Sequence, residues 1–283
     1  MVKLTAQFCT NINLTNHLTL TVVLQYNCNN KRFIKGVFMT KSIKLANIVL
    51  MFMIALGDVT YILTGHILAK SVTSVLFVVL GAVNLIYAFK ETTKNRKFII
   101  LMLIGLFFAC LGDVVLYFQF CVGAGLFAVG HILFFASYIF LEKFDWKDLI
   151  PSGVVFVASL LIILLAPVLK MDILMTVVAI VYALVISTML GKAISNLIKN
   201  KNALNIVILI GSALFYFSDL MLLFARFGGI YACSVLCLAT YYPAEVLLAF
   251  SILLARDKQQ KNQKLNKLLN NIKQSNPNKP KQS

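Results

Sequence analysis

The sequence predicts an all-α, polytopic membrane protein: a bundle of about eight transmembrane helices. Three observations carry this prediction. Hydrophobic residues make up 60% of the 283-residue chain, charged residues only 13%, and the mean hydropathy is +0.88, a balance foreign to ordinary soluble domains. The apolar residues gather into eight stretches, each near the ~20 residues that cross a ~30 Å hydrocarbon core. None of these stretches sustains an alternation of apolar and polar residues, and in lipid only a helix or a closed barrel satisfies its own backbone.

The stretches follow one another in a regular way. Residues 43–65 form the first span, entered from Lys41 and Lys44 and carrying Asp58. The second, residues 70–89, opens on Lys70 and runs into the basic group Lys90, Lys94, Arg96 and Lys97. From there residues 97–119 cross with Asp113, and residues 122–141 return with His131 toward Lys143 and Lys147. Residues 150–169 and 172–192 are the fifth and sixth spans, parted by Lys170, and the sixth is read as ending at Lys192. The seventh, residues 203–225, carries Asp219 and stops before Arg226, and the eighth, residues 230–255, holds Pro243 and Glu245 and stops at Arg256.

Sorted among the connections, 23 of the 26 Lys and Arg fall on one side of this arrangement, leaving only Lys70, Lys170 and Arg226 on the other. Positive residues are retained in cytoplasmic loops, so both termini are expected in the cytoplasm, in the endoplasmic reticulum of a eukaryote or the plasma membrane of a bacterium. The same bias accounts for most of the net charge of +16 and removes the argument for a nucleic-acid partner. Residues 1–42 read as a polar, disordered extension whose apolar run near Leu18 to Leu24 is too brief to span, and Met39 is a candidate native start. Residues 256–283, rich in Lys, Asn and Gln, read as a disordered basic tail near anionic lipid. No secretory signal is evident, so the first span is expected to target the chain. The six cysteines suggest neither a disulfide framework nor a metal site, and Cys233 and Cys237, on one helical face, read as small packing residues. No metal and no cofactor are expected.

Four carboxylates embedded in apolar spans, Asp58, Asp113, Asp219 and Glu245, are the chemically informative residues. A centred Asp costs roughly 2.5–3.5 kcal/mol on insertion scales, so such groups face a polar cavity, a partner or a substrate. At ~1.5 Å per residue, Asp58, Asp113 and Asp219 lie about 21, 24 and 27 Å from the nearest cytoplasmic lysine, which puts them in the outer half of the bilayer. His131 and Glu245 sit nearer mid-depth on returning helices. Spacing of three, four or seven residues aligns Asp113 with Tyr117, Asp219 with Arg226, His131 with Phe127, Phe135 and Tyr138, and Glu245 with Tyr241 and Tyr242 beside Pro243. Each of these groups has a structural alternative as an interhelical hydrogen-bonding residue, worth about 0.6 kcal/mol per bond.

The segments Gly112-Asp113-Val-Val-Leu-Tyr117, Gly125-Leu-Phe-Ala-Val-Gly-His131-Ile-Leu-Phe, Gly211-Ser-Ala-Leu-Phe-Tyr-Phe-Ser218-Asp219-Leu and Thr240-Tyr241-Tyr242 occur in that order. In this ordered set the chain resembles the YhhN-like lysoplasmalogenase family of eight-span membrane proteins, over roughly residues 43–255. The resemblance implies hydrolysis of the vinyl ether bond of a lysoplasmalogen to a fatty aldehyde and glycerophosphoethanolamine or glycerophosphocholine. It also implies Asp113 and Asp219 as the reacting carboxylates, with His131, Tyr241 and Tyr242 beside them, and helical spacing adds Tyr117 and Glu245 as supporting residues of the same pocket. Two departures stand out: Lys70-Ser71-Val72 replaces a common Lys-Pro-Leu, and Glu245 stands where relatives often carry Gln. Asp58 has no family counterpart, and Gly65-His66-Ile-Leu echoes Gly130-His131-Ile-Leu.

The implied reaction suits these residues. Protonation of a vinyl ether at its β-carbon gives an oxocarbenium ion that water captures as a hemiacetal, whose collapse releases the aldehyde. One carboxylic acid and one carboxylate divide that work, as in glycosidases, and low dielectric together with a like-charged neighbour favours the neutral form of one of the two. Lys70 and Arg226, expected at the outer ends of their spans, are candidate contacts for the lysophospholipid phosphate, with interfacial anchoring as their alternative. There is no Gly-x-Ser-x-Gly elbow, His-Glu-x-x-His helix or phosphate loop. Two other classes stay open on the sequence: a transporter or proton- or cation-coupled carrier, since embedded Asp, Glu and His also build relays, and a non-catalytic lipid-binding membrane protein.

Overall fold

The computed structural model describes residues 41–89 and 95–255. The N-terminal extension with Met39, the tail from residue 256, and Lys90 and Lys94 lie outside the described residues. Those described form eight long helices: α1 (Lys41–Thr64), α2 (Ile67–Phe89), α3 (Arg96–Phe118), α4 (Phe120–Leu141), α5 (Leu149–Leu165), α6 (Ile173–Lys199), α7 (Ala203–Gly228) and α8 (Tyr231–Leu254), with a 3₁₀ turn over Trp146–Asp148 before α5. All eight are long and apolar enough to cross a membrane, as the hydropathy pattern predicts.

From α2 onward the helices close on themselves. α2 packs against α3, α3 against α4, α4 against α6, α6 against α7, α7 against α8, and α8 back against α2 and α3, while α5 packs on the outside of α6. α8 is accordingly the most enclosed span, and α1 the least. The closest pairing, α3 with α4, follows from glycine. A Cβ at Gly123 would stand 2.5 Å from the Leu116 backbone, and one at Gly112 would stand 3.0 Å from the Phe127 ring. Small residues that let backbones approach are the main route to helix association in lipid, where no hydrophobic force draws helices together. Gly112, in the segment 112–117, and Gly123, at the start of α4, thus have a packing role beside any chemical one.

Polar side chains cross-link the spans. Asn47 on α1 donates to Asn84 on α2 (2.9 Å), which donates to the Ala249 carbonyl on α8 (3.1 Å). Asn196 on α6 donates to the Tyr138 carbonyl on α4 (2.9 Å), and Asn205 on α7 donates back to the Asn196 carbonyl (3.0 Å). Two tight turns set one end of the bundle. Gly65 (φ 65°) between α1 and α2 and Gly229 (φ 66°) between α7 and α8 take the left-handed conformation that non-glycine residues adopt at a steric penalty. These turns bring Tyr61, Lys70, Arg226 and Ser234 to the same end.

Two boundaries depart from the sequence reading. α5 stops at Leu165 rather than at 169, because Pro167 disfavours a helical Ala166, whose ψ is 108°. α6 runs on to Lys199, well beyond the predicted end at Lys192. Lys192 is not a loop charge. It is wholly buried, 2.6 Å from Asp148, and Asp148 also pairs with Lys199 at 2.5 Å. A carboxylate brought over from the 3₁₀ turn neutralises the ammonium, so the helix continues past a lysine that a hydropathy window reads as a stop.

Candidate functional site

The site is built from residues of α1, α2, α3, α4, α7 and α8 toward one end of the bundle. A cavity of about 310 Å³ lies there, and Lys70, Asp113, Asp219 and Arg226 all line it. Tyr61, Tyr117, Ser218, Cys237 and Tyr241 contribute further polar or aromatic lining. Tyr117 and Phe118 are exposed, so the cavity reaches the protein surface between them and the α7–α8 end. A narrower apolar cleft of about 90 Å³ shares Leu116, Phe120, Phe127, Asp219 and Leu222 with the cavity and continues between α4, α6 and α7.

Asp113, on the last turns of α3, is buried within a cage of donors. Lys70 Nζ lies 2.9 Å from its Oδ1, while Ser74 Oγ (2.5 Å) and Tyr242 OH (3.1 Å) donate to Oδ2. Lys70 and Ser74 are four residues apart and so project from the same face of α2. The Lys70 ammonium also stands 5.5 Å from the centroid of the Tyr61 ring. Lys70 is therefore not a surface anchor, and it lines the cavity as a partner of Asp113. It is 6% exposed and already paired with a carboxylate.

Asp219, on α7, has a different set of partners. Tyr182 OH on α6 donates to its Oδ2 at 2.6 Å, and His131 Nε2 on α4 lies 3.1 Å from the same oxygen and 2.9 Å from the Tyr182 hydroxyl. Since the phenol donates to the carboxylate, the network assigns the imidazole N–H to Nε2, leaving Nδ1 as the nitrogen without a protein partner. The imidazole is held edge-on to Phe215 with centroids 4.6 Å apart, and Phe215 in turn packs against Phe127 and Tyr241. This aromatic wall fixes the ring that orients Asp219.

Of the residues singled out from the sequence, Asp113, Asp219, Tyr117, Tyr241, Lys70 and Arg226 meet at the cavity, and His131 and Tyr242 touch it through the two aspartates. Asp113 and Asp219 both line it, from sequence-distant helices, each with its own partners. Arg226 lies over the Phe120 ring, 5.4 Å from the centroid, at the end of α7. Glu245 is not among the lining residues: it is fully buried in α8, and neither of its oxygens has a hydrogen-bond partner among the described residues. Asp58 also lies outside the lining, buried with its Oδ1 unpartnered. Ser74 and Tyr182 complete the two carboxylate sites and were not singled out from the sequence. The available signal was a hydroxyl within an apolar span, in the case of Ser74 at helical spacing from Lys70.

No curated protein and no solved structure matches the chain. A family model does, that of the YhhN family, over residues 65–252. The match takes in α2 to α8 nearly whole and every cavity residue named above except Tyr61, while α1 and Asp58 fall before it, a shorter likeness than the expected 43–255. With two aspartates, a histidine and a tyrosine pair of the recognised segments converging on one membrane-embedded cavity, and with a family model covering most of the chain, this protein belongs to the YhhN family.

Proposed function

We propose that the protein hydrolyses the vinyl ether bond of a lysoplasmalogen, releasing a fatty aldehyde and a glycerophospho-base. Membership in the YhhN family is consistent with a hydrolase of this kind. The observation that carries the reading is that Asp113 and Asp219 line one cavity, with an apolar cleft bordered by some of the same residues, at the end of a membrane bundle. A single-chain lipid has the matching anatomy: a polar head for the cavity and a hydrocarbon chain for the cleft.

The partners of the two carboxylates differentiate their roles. Asp113 faces a cation and two hydroxyl donors, an arrangement that balances a carboxylate. Asp219 faces a phenol and an imidazole, with no lysine or arginine paired to it among the described residues. In the proposed reaction Asp219 delivers a proton to the β-carbon of the alkenyl group, and the electron pair of the C=C bond forms the new C–H bond. The ether oxygen then shares the positive charge, and Asp113 stabilises it and takes a proton from the attacking water. The hemiacetal breaks at its C–O bond to the glycerol as Asp113 gives that proton to the departing oxygen and the hemiacetal hydroxyl passes its own to Asp219, which restores both groups. His131, 3.1 Å behind Asp219, orients that acid. Arg226 at the cavity's end is placed to hold the phosphate, the role left to it once Lys70 is committed to Asp113.

The test is aldehyde release by purified protein from lysoplasmenyl-ethanolamine and lysoplasmenyl-choline, with an ester lysolipid as control. Release from the vinyl ethers alone, abolished in folded Asp113→Asn and Asp219→Asn variants, is the expected result. A folded wild type that releases none, yet drives ion-dependent uptake into vesicles, would move the assignment to transport.

A further inference from the structure

We infer that Lys70 is a reversible covalent site for a long-chain aldehyde, which it captures as a Schiff base within the cavity. The identity of the aldehyde as the protein's own product rests on the function proposed above, but the capacity to capture one rests on the residues themselves.

Lysine amines take up carbonyl compounds when they are removed from water, placed beside a group that shuttles protons, and open to a space the carbonyl can enter. Lys70 meets each condition. It is 6% exposed, its Nζ lies 2.9 Å from Asp113 Oδ1, and it lines the cavity whose apolar extension suits a hydrocarbon chain. Lys192 provides the internal contrast. It is as deeply buried and is likewise paired with a carboxylate, Asp148, yet it borders neither the cavity nor the cleft. Burial and pairing alone are therefore structural there, and access to a lipid-sized space is what sets Lys70 apart.

The step balances. Lys70 Nζ passes a proton to Asp113 Oδ1, its freed lone pair forms a C–N bond to the aldehyde carbon as the C=O π bond opens, and a second N–H proton moves to the carbonyl oxygen to make the carbinolamine hydroxyl. Nitrogen then forms the C=N bond as the C–O bond breaks, Asp113 returning its proton to the hydroxyl so that water leaves. The product is an iminium cation against the Asp113 carboxylate. Its charge equals that of the ammonium it replaces, so the pair is never left as a lone buried charge, the outcome that low dielectric penalises most. Addition of water reverses each step, so the adduct delays release of a reactive aldehyde into the bilayer.

The experiment treats the detergent-purified full-length protein with hexadecanal and sodium cyanoborohydride, which reduces an iminium to a stable secondary amine, and maps the alkylated lysines by peptide mass spectrometry. Lys70 should carry the alkyl chain at roughly tenfold or greater occupancy than Lys192 or any lysine of residues 256–283, reflecting the held geometry. In Lys70→Arg, which keeps a cation beside Asp113 but forms no Schiff base, that adduct should vanish and no other should take its place. Alkylation confined to surface lysines, or none at all, overturns the inference, and the wild-type map decides this even if the variant fails to fold. Hexadecanal is supplied directly, so the two readings fail separately. Vinyl ether hydrolysis without labelling of Lys70 removes the capture site alone, whereas labelling without hydrolysis keeps the site and removes the proposed hydrolase.

Discussion

Replacing Lys70 by Met or Asp113 by Asn separates a buried ion pair from two independent residues of a ligand pocket. The two charged groups are 2.9 Å apart and both side chains are under a tenth exposed. At an effective dielectric of ~20, Coulomb's law gives roughly 6 kcal/mol of attraction at this distance, much of it offset by desolvation. Removing one partner leaves the other buried without its counter-charge, which costs about 3–5 kcal/mol. Each single variant should therefore lose about that much free energy of unfolding, measured by SDS titration of the purified protein in mixed micelles. The double variant carries neither charge, and its Asn can still accept from Ser74 and Tyr242. Its loss should fall short of the sum of the single losses by at least ~2 kcal/mol. Losses additive to within ~0.5 kcal/mol would refute the pairing, because uncoupled sites add to about that precision. The outcome also bears on Lys70 as a phosphate contact, since a lysine free to bind phosphate would be replaceable with little loss of stability and a raised KM.

Four further outcomes follow from the geometry. Asp219→Asn and His131→Gln should lower kcat for aldehyde release by about 10²–10⁴-fold, the usual range for a proton donor and its support, in proteins that elute normally in detergent. Arg226→Gln should raise KM by about tenfold or more with kcat little changed, the signature of a charge-assisted contact to a non-reacting phosphate, and an unchanged KM would leave only interfacial anchoring. Glu245→Gln removes an ionisable group that is fully buried without a hydrogen-bond partner, so the SDS unfolding midpoint should rise, whereas a fall would mean that the carboxylate is held by something in the membrane. Gly123→Ala should destabilise by about 1–3 kcal/mol, because the added methyl meets the Leu116 backbone, while Gly125→Ala, with open space at its Cβ, serves as the matched control in the same titration.

Much of the fold was legible because the bilayer imposes a local rule. A span needs length and apolarity, and both are properties of contiguous residues. The rule failed where tertiary structure supplied a partner: Lys192 reads as a stop until Asp148 arrives from the 3₁₀ turn to neutralise it. In the candidate site, the embedded Asp113 and Asp219 were visible because a carboxylate in hydrocarbon is expensive wherever it points. Their hydroxyl partners were not, because a single serine or tyrosine is tolerated in any span and becomes informative only through what it touches. Ser74 and Tyr182 are of that kind. Glu245 shows the opposite error. It was as conspicuous as the aspartates and shares a face with Tyr241 and Tyr242, yet it projects into packed helix rather than the cavity.

By itself the sequence determined the membrane class, the helical elements and the identity of the embedded charges, since each follows from the free energy of placing particular side chains in lipid. Only the tertiary structure decided which charges meet. Lys70 and Asp113 lie on different helices and Asp219 gathers partners from two others, so their pairing depends on crossing geometry set by glycines such as Gly112 and Gly123, packed against residues far along the chain. Composition assigns no address to a lysine. At 2.9 Å from a carboxylate, lining a cavity of about 310 Å³, the same side chain forms a pair that no hydropathy profile contains.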